Sequence, residues 1–187
     1  MDIVENTEDI CLFAMDETGI RLESKNHYSW SPKGKPTIIE QNGCKKGLNI
    51  IGATEISKDF SMFTKAYSSV NSITAQEIVY FLQGLIEAYP NKTLMVILDN
   101  ARTHTAQIVQ DFAALHEDKL HLIFQPPYSP QLNPQENIWK WFKDECAQSN
   151  TYKNEKELQR RTDEFFSHAN SHPQEVKSHA WARSFYK

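Results

Sequence analysis

Two short apolar runs constrain this chain more than any other feature: Ile10-Cys11-Leu12-Phe13-Ala14-Met15 and Thr93-Leu94-Met95-Val96-Ile97-Leu98, each followed at once by an aspartate, Asp16 and Asp99. Six residues are too few for a helix of ordinary length. Consecutive rather than alternating apolar residues fit a strand buried on both faces. A strand of that kind needs a layer on each side of its sheet, so the chain must supply helices to cover both faces.

The rest of the sequence supplies them. Leu48 to Thr54 reads as a strand, and Phe60 to Tyr67 as a short edge strand, which makes the first third an antiparallel meander. The pattern then changes. Thr74 is a suitable N-cap for a helix with Ile78, Val79, Leu82, Leu85 and Ile86 on one face, ending near Tyr89-Pro90. After the Thr93–Leu98 strand come a helix from about Thr105 to Leu115, a strand from Leu120 to Phe124, and a helix from Pro134 to about Gln148. A last amphipathic helix, about Asn154 to Ala169, leads to a tail broken at Pro173. Strands that are first antiparallel and then alternate with helices predict an α/β fold with a mixed sheet. Right-handed crossovers then set the Asp16 and Asp99 strands parallel, so both carboxylates emerge at one carboxyl edge, where open α/β sheets bind ligands.

Composition narrows the class. At 187 residues, with 40% hydrophobic and 24% charged residues, the chain suits one ordinary domain and not wholesale disorder. No apolar run is long enough to span a membrane, and the acidic start Asp2 to Asp9 is unlike a secretory leader, so an intracellular protein is expected. Cys11, Cys44 and Cys146 are far apart and form no C-x-x-C pair, which argues against a disulfide framework or zinc knuckle. The net charge of -4 hides an asymmetry: residues 1–20 carry six acids and no Lys or Arg, whereas residues 21–58 carry seven bases against three acids. That basic strip, interleaved with Tyr28 and Trp30 and including Lys33 and Lys35, either follows a nucleic-acid backbone or is a solvated hairpin.

A third acid stands out. Pro126-Pro127-Tyr128-Ser129-Pro130-Gln131-Leu132-Asn133-Pro134-Gln135-Glu136-Asn137-Ile138-Trp139 is a proline-stiffened loop that delivers Glu136 onto the first turn of a helix. Three carboxylates on rigid element ends suit two hard divalent cations, because Mg²⁺ prefers oxygen ligands. A metal-dependent enzyme that cuts phosphodiesters is therefore expected. Each acid also has a plainer role open to it: Asp16 or Asp99 as a turn residue after a strand, Glu136 as the acid of a capping box led by Asn133.

Together these segments resemble the catalytic domain of mariner-like transposases, and within them the bacterial insertion-sequence branch of the DDE superfamily. The carrying residues are the strand ending in Asp16-Glu17, the run Leu98-Asp99-Asn100-Ala101-Arg102-Thr103-His104, the stretch Pro126 to Trp139 with Lys140-Trp141-Phe142-Lys143, and Trp30-Ser31-Pro32-Lys33-Gly34-Lys35-Pro36. The resemblance implies a ribonuclease-H-like mixed five-stranded sheet flanked by helices, spanning residues 1–187 as one catalytic domain. It implies that Asp16, Asp99 and Glu136 hold two Mg²⁺ or Mn²⁺ ions for DNA strand cleavage and strand transfer. The implied partners are DNA, as transposon ends and target, a DNA-binding module in cis or trans, and a second catalytic domain in a homodimer. Members of the family carry a helix-turn-helix region ahead of the first catalytic strand, which is not expected here, so this chain alone should bind DNA weakly and without preference for a terminal repeat.

Other residues follow from position. Arg102 and His104, after the second aspartate, and Lys140 and Lys143, on the Glu136 face of its helix, are candidate DNA contacts together with Lys33 and Lys35. Asn100 is a further candidate to orient a phosphate. Glu17 is secondary, since it should point to the face opposite Asp16. His168 and His172 have i, i+4 spacing but no evident third ligand, and read as surface histidines. A ribonuclease-H-like nuclease acting on RNA/DNA hybrids, and an inactive remnant that binds DNA or a partner, stay open as alternatives.

Overall fold

The sheet is built from β1 (Ile10–Arg21), β2 (Gly47–Glu55), β3 (Met62–Ser68), β4 (Thr93–Leu98) and β5 (Leu120–Phe124), in the order β3-β2-β1-β4-β5. β1 pairs antiparallel with β2 and β2 with β3, while β4 runs parallel to both β1 and β5. The computed structural model describes residues 9–23, 32–35, 45–126, 133–147 and 152–181. Among the described residues, five helices flank the sheet: α1 (Ala75–Ala88), α2 (Gln107–Leu115), α3 (Pro134–Cys146), α4 (Glu155–Ser171) and α5 (Pro173–Ala180). The expected mixed α/β sheet is thus the observed one.

The double burial read from the apolar runs has a direct structural form. Cys11, Phe13 and Met15 pack on one face of β1 with Ile78, Phe81, Leu82 and Leu85 of α1 and Val109 of α2. Leu12 and Ala14 face the other way, against Ile56 and Trp181. Further along, Ile20 joins Leu48 and Ile50 of β2 in a core with Ile138, Trp139 and Phe142 of α3 and Phe165 and Phe166 of α4. Each large side chain fully buried in these layers stabilises the fold by roughly 1.5–3 kcal/mol.

Local signals explain the helix ends. Thr74 caps α1 in a capping box with Glu77, whose carboxylate accepts from the Thr74 N–H at 2.9 Å. Asn154 caps α4 through the Glu157 N–H at 2.9 Å.

Three expectations need correction. β1 does not stop at Asp16; it runs on to Arg21, because β2 continues to pair with it through Arg21–Gly47 after β4 has ended. Asp16 is therefore mid-strand and becomes accessible only because its parallel neighbour is shorter. The segment after Pro173 is not a broken tail but α5, since proline at the first helical turn removes an N–H that has no helical partner anyway. Finally, β3 begins at Met62, not Phe60, which sits at positive φ (51°) in the β2–β3 turn.

That turn is organised by one buried acid. Glu55, 1% exposed, accepts backbone N–H bonds from Ser57, Lys58, Asp59 and Phe60, and also contacts the Ser57 hydroxyl. The carboxylate satisfies donors that the tight turn would otherwise leave unpaired. Glu55→Ala should therefore lower unfolding free energy by about 2–4 kcal/mol. Urea titration should show this as a lower midpoint with an unchanged slope; an unchanged midpoint would mean that the turn holds without the acid.

Candidate functional site

Register brings the first two acids together. Ala14 pairs with Ile97 in the parallel ladder, so two residues further on Asp16 stands level with Asp99, just beyond the end of β4. Asp16 shares the face of Leu12 and Ala14, the side covered by α3 and α5. Glu17 looks to the opposite face, toward the start of α2, as its place in the strand predicts.

The third acid arrives on α3, and Asn133 fixes how. Buried to 3% exposure, Asn133 accepts the Gln135 N–H on its Oδ1 at 3.1 Å and donates from Nδ2 to the Met15 carbonyl at 3.0 Å. The same side chain therefore caps the helix and ties it to the residue before Asp16. Pro134 occupies the first turn and Glu136 lies exposed beyond it. Asn133 Oδ1 is engaged by the N2 amide of Gln135, unlike the reciprocal box that Thr74 and Glu77 form.

Close approach of α3 to the sheet needs a residue without a side chain below it. Gly52 is the β2 partner of Asp16, and a Cβ there would overlap the indole of Trp139. Thr54, two residues on, donates its hydroxyl to Gln135 Oε1 at 2.6 Å.

Electrostatics mark the crowding of acids. Burial, reinforced by the Glu136 charge and then by Glu17 and Asp99, pushes the Asp16 carboxyl up to about 7. Carboxylate oxygens are hard donors and a chemically suitable set for a divalent metal of the Mg²⁺ or Mn²⁺ kind. The three do not form a single tight cluster: among the described residues, the trio of His, Cys, Asp or Glu side chains with all ligand atoms within 4.8 Å of one another is His168, His172 and Glu175.

Two groups at this edge carry more than sequence reasoning gave them. His104 is fully buried, with Nε2 3.0 Å from Glu17 Oε1 and Nδ1 2.8 Å from Asp99 Oδ1. Burial favours the neutral ring, but the hydrogen bonds and charges of Glu17 and Asp99 outweigh it and raise His104 to about 9. His104 is then an imidazolium bridging two carboxylates. The expectation that it contacts DNA fails on those grounds, since both ring nitrogens are engaged and neither reaches solvent. Asn100 is likewise committed, donating to the Gln125 carbonyl at 2.6 Å and tying the end of β4 to the end of β5. Glu17, set aside in the sequence as secondary, is the acid that anchors His104. No local motif signals this pairing, because 87 residues separate the partners.

The remaining candidates are dispersed. Arg102 and Lys140 are exposed; Lys140 and Lys143 line a groove between β1 and α3 with Arg21 and Glu23. Lys33 and Lys35 lie in an exposed turn closed by Lys35 N–H to the Pro32 carbonyl (2.9 Å), with Gly34 at φ +82° as the third residue of such a turn requires. Tyr28, Trp30 and residues 127–132 of the proline loop lie outside the described residues. No helix of the described chain is long and apolar enough to cross a membrane.

With this geometry in view, comparison with known proteins is decisive for the family. The model of the DDE superfamily endonucleases matches residues 11–159. The chain belongs to the DDE superfamily. It is 27% identical over 132 residues to the insertion element IS630 uncharacterized 39 kDa protein of Shigella sonnei, an alignment covering 69% of this chain and 36% of that protein. In fold it is similar to the Mos1 transposase in a paired-end complex with the left transposon end (TM-score 0.67, 16% identity, 95% of this chain and 57% of that one). It is similar also to the Mos1 transposase catalytic domain bound to raltegravir with Mg (TM-score 0.60, 14% identity, 100% and 92%). The sheet with its flanking helices is thus ribonuclease-H-like. This DDE superfamily chain spans about a third of the length of its curated relative and just over half of the paired-end complex subunit.

A pH dependence follows for the metal-free protein. Asp16 holds its proton in the folded state up to about 7 against an ordinary value of 3.8, so stability is lost as pH rises between those values. His104, raised from 6.5 to about 9, contributes stability that is complete below 6.5 and is lost as pH rises through 9. Both shifts have the same sign. Metal-free protein should be more stable at pH 5.5 than at pH 9, and Asp16→Asn should raise the melting temperature at pH 8 but not at pH 4. Each kcal/mol relieved is worth roughly 2–4 °C in a domain of this size. Calorimetry in the presence of a chelator checks this, and an equal gain at both pH values would contradict it.

Proposed function

We propose that this chain is a transposase catalytic domain that cleaves DNA strands and joins them to target DNA, with Asp16, Asp99 and Glu136 holding two divalent ions, Mg²⁺ or Mn²⁺. The observation that carries the reading is the arrival of three acids at one sheet edge, from two parallel strands and a helix tied to one of them by Asn133, in a chain of the DDE superfamily. The likeness to transposases solved as transposon-end complexes, and with Mn or Mg, supports both the DNA substrate and the metal.

Two divalent ions held by Asp16, Asp99 and Glu136 would supply Lewis acidity, favouring attack of a water or a DNA 3′-hydroxyl on the phosphodiester and departure of the leaving oxygen. The chain's own residues do the rest. Asp16, close enough to feel the charges of both Glu136 and Asp99, would hold the ions together with them. His104 holds the Asp99 carboxylate by one oxygen and is itself held by Glu17, so Asp99 is oriented before any metal enters. Asn133 sets the height of Glu136 over the strand. Exposed Arg102, Lys140, Lys33 and Lys35 supply cations for the DNA backbone. Recognition of the element's ends, and the pairing of two ends, belong to a DNA-binding module and a second catalytic domain.

Asp99→Asn and Glu136→Gln replace anionic ligands by near-isosteric neutral groups. Each should abolish Mg²⁺-dependent cleavage of duplex DNA, a loss of at least 10³-fold or about 4 kcal/mol of barrier, with circular dichroism unchanged. Retained metal-dependent cleavage in either variant would remove the assignment. Parallel assays on an RNA/DNA hybrid distinguish the substrate class: cleavage of the hybrid alone would make the enzyme a ribonuclease-H-like nuclease instead. Asn133→Ala should weaken both properties, losing about 1 kcal/mol for the cap and more for the Met15 carbonyl, together with cleavage that falls although no ligand is removed. Measuring stability and turnover on the same preparation tests this; full activity at reduced stability would show that the tie is only structural.

A further inference from the structure

At the junction of α4 and α5, far along the chain from the acids at the sheet edge, three potential metal ligands meet. His168 and His172 lie one helical turn apart at the end of α4, and Glu175 lies in the first turn of α5, beyond Pro173. Their ligand atoms all fall within 4.8 Å of one another, and all three residues are exposed. The two imidazoles stack, with ring centroids 4.1 Å apart and an interplanar angle of 26°.

We propose that His168, His172 and Glu175 bind a transition-metal ion of the Zn²⁺ class, with water completing the coordination, at a site separate from the carboxylate edge. Three features support it. First, two imidazoles and one carboxylate are the ligand set that Zn²⁺ takes in three-ligand sites, whereas Mg²⁺ and Mn²⁺ prefer oxygen donors. Second, His168 Nε2 and Glu175 Oε2 are 3.2 Å apart, about the separation of two ligand atoms held tetrahedrally at roughly 2.0–2.1 Å from one ion. Third, His172 Nδ1 lies 2.9 Å from the His168 carbonyl. Only a donating Nδ1–H satisfies that bond, so the lone pair of a neutral His172 is on Nε2, and the ring is oriented before metal arrives, as ligand histidines usually are.

The turn between the helices explains why the site forms. His172 caps the C-terminal end of α4 and stands directly before Pro173, so α5 starts anew and swings Glu175 back over His168. A bound ion would clamp the two helices at this corner. α5 in turn packs on α3, where Asn137 Nδ2 donates to the Ala180 carbonyl at 3.1 Å and His179 stacks on Trp141 at 4.2 Å. The clamp would therefore brace the helix that carries Glu136 without touching the sheet edge.

Titration of the full chain with Zn²⁺ by calorimetry, in an Asp99→Asn background that weakens the carboxylate edge, tests the site. Nitrogen-15 NMR of the imidazoles serves as the second readout. Micromolar binding, with perturbation of the His168 and His172 ring nitrogens at substoichiometric Zn²⁺, is expected. His172→Ala and the isosteric Glu175→Gln should each weaken that binding at least tenfold, and Mg²⁺ should neither compete nor perturb the rings. Because all three side chains are exposed, these variants should fold; circular dichroism verifies it, and wild-type ring shifts stand independently of any variant. Unperturbed His168 and His172 rings at saturating Zn²⁺, or affinity unchanged in both variants, would overturn the proposal and leave His168–Glu175 a surface ion pair.

Discussion

One side chain ties the helix that carries Glu136 to the strand that carries Asp16. Asn133 bonds in two directions, to the Gln135 amide within its own helix and to the Met15 carbonyl across the chain. The second bond joins the Thr54–Gln135 hydrogen bond and the seating of Trp139 over Gly52 in fixing how α3 packs on the sheet. With it, the first turn of α3 is pinned beside Asp16. The carbonyl it uses is free because β4 stops short, its last β1 partner being Ala14. The same shortness of β4 exposes Asp16 in the middle of a long strand. Site and scaffold therefore have one cause, a mismatch in length between parallel neighbours at the centre of the sheet.

The cost of this arrangement is electrostatic. Asp16 is half-buried with Glu136, Glu17 and Asp99 around it, and its proton is retained to about 7. The fold answers on one flank, with the buried His104 imidazolium between Glu17 and Asp99. It leaves the Glu136 flank without a comparable buried cation among the described residues. Acids neutralised on one side and open on the other retain mutual repulsion, and like-charged groups of this kind gather at functional sites.

The mass behind the site is aromatic. Trp139, Phe142, Phe165 and Phe166 interlock at centroid distances of 5.2–6.3 Å, and Trp139 fits only because Gly52 leaves room for it. Trp139, Trp141 and Phe142 of α3 are all buried in this same core. They give Glu136 a rigid base, so its exposure to solvent does not make its position loose.

What the sequence settled by itself was whatever depends on neighbours in the chain. Apolar runs ending at Asp16 and Asp99, the Asn133-Pro134 helix start, the Thr74 cap and the acid on the first turn of α3 are all local, and from them came the element types and the mixed sheet. The paths it misread depend on partners distant in the chain. That β1 passes through Asp16 to Arg21 rests on pairing with β2; that His104 is an internal bridge and not a DNA contact rests on Glu17, 87 residues away; that His168 and His172 have a third companion rests on a helix restarting after Pro173. Periodicity and caps are read within one turn or one strand. Which side chains end up facing one another is fixed only when the sheet register and the helix docking close, and that is a property of the folded chain as a whole.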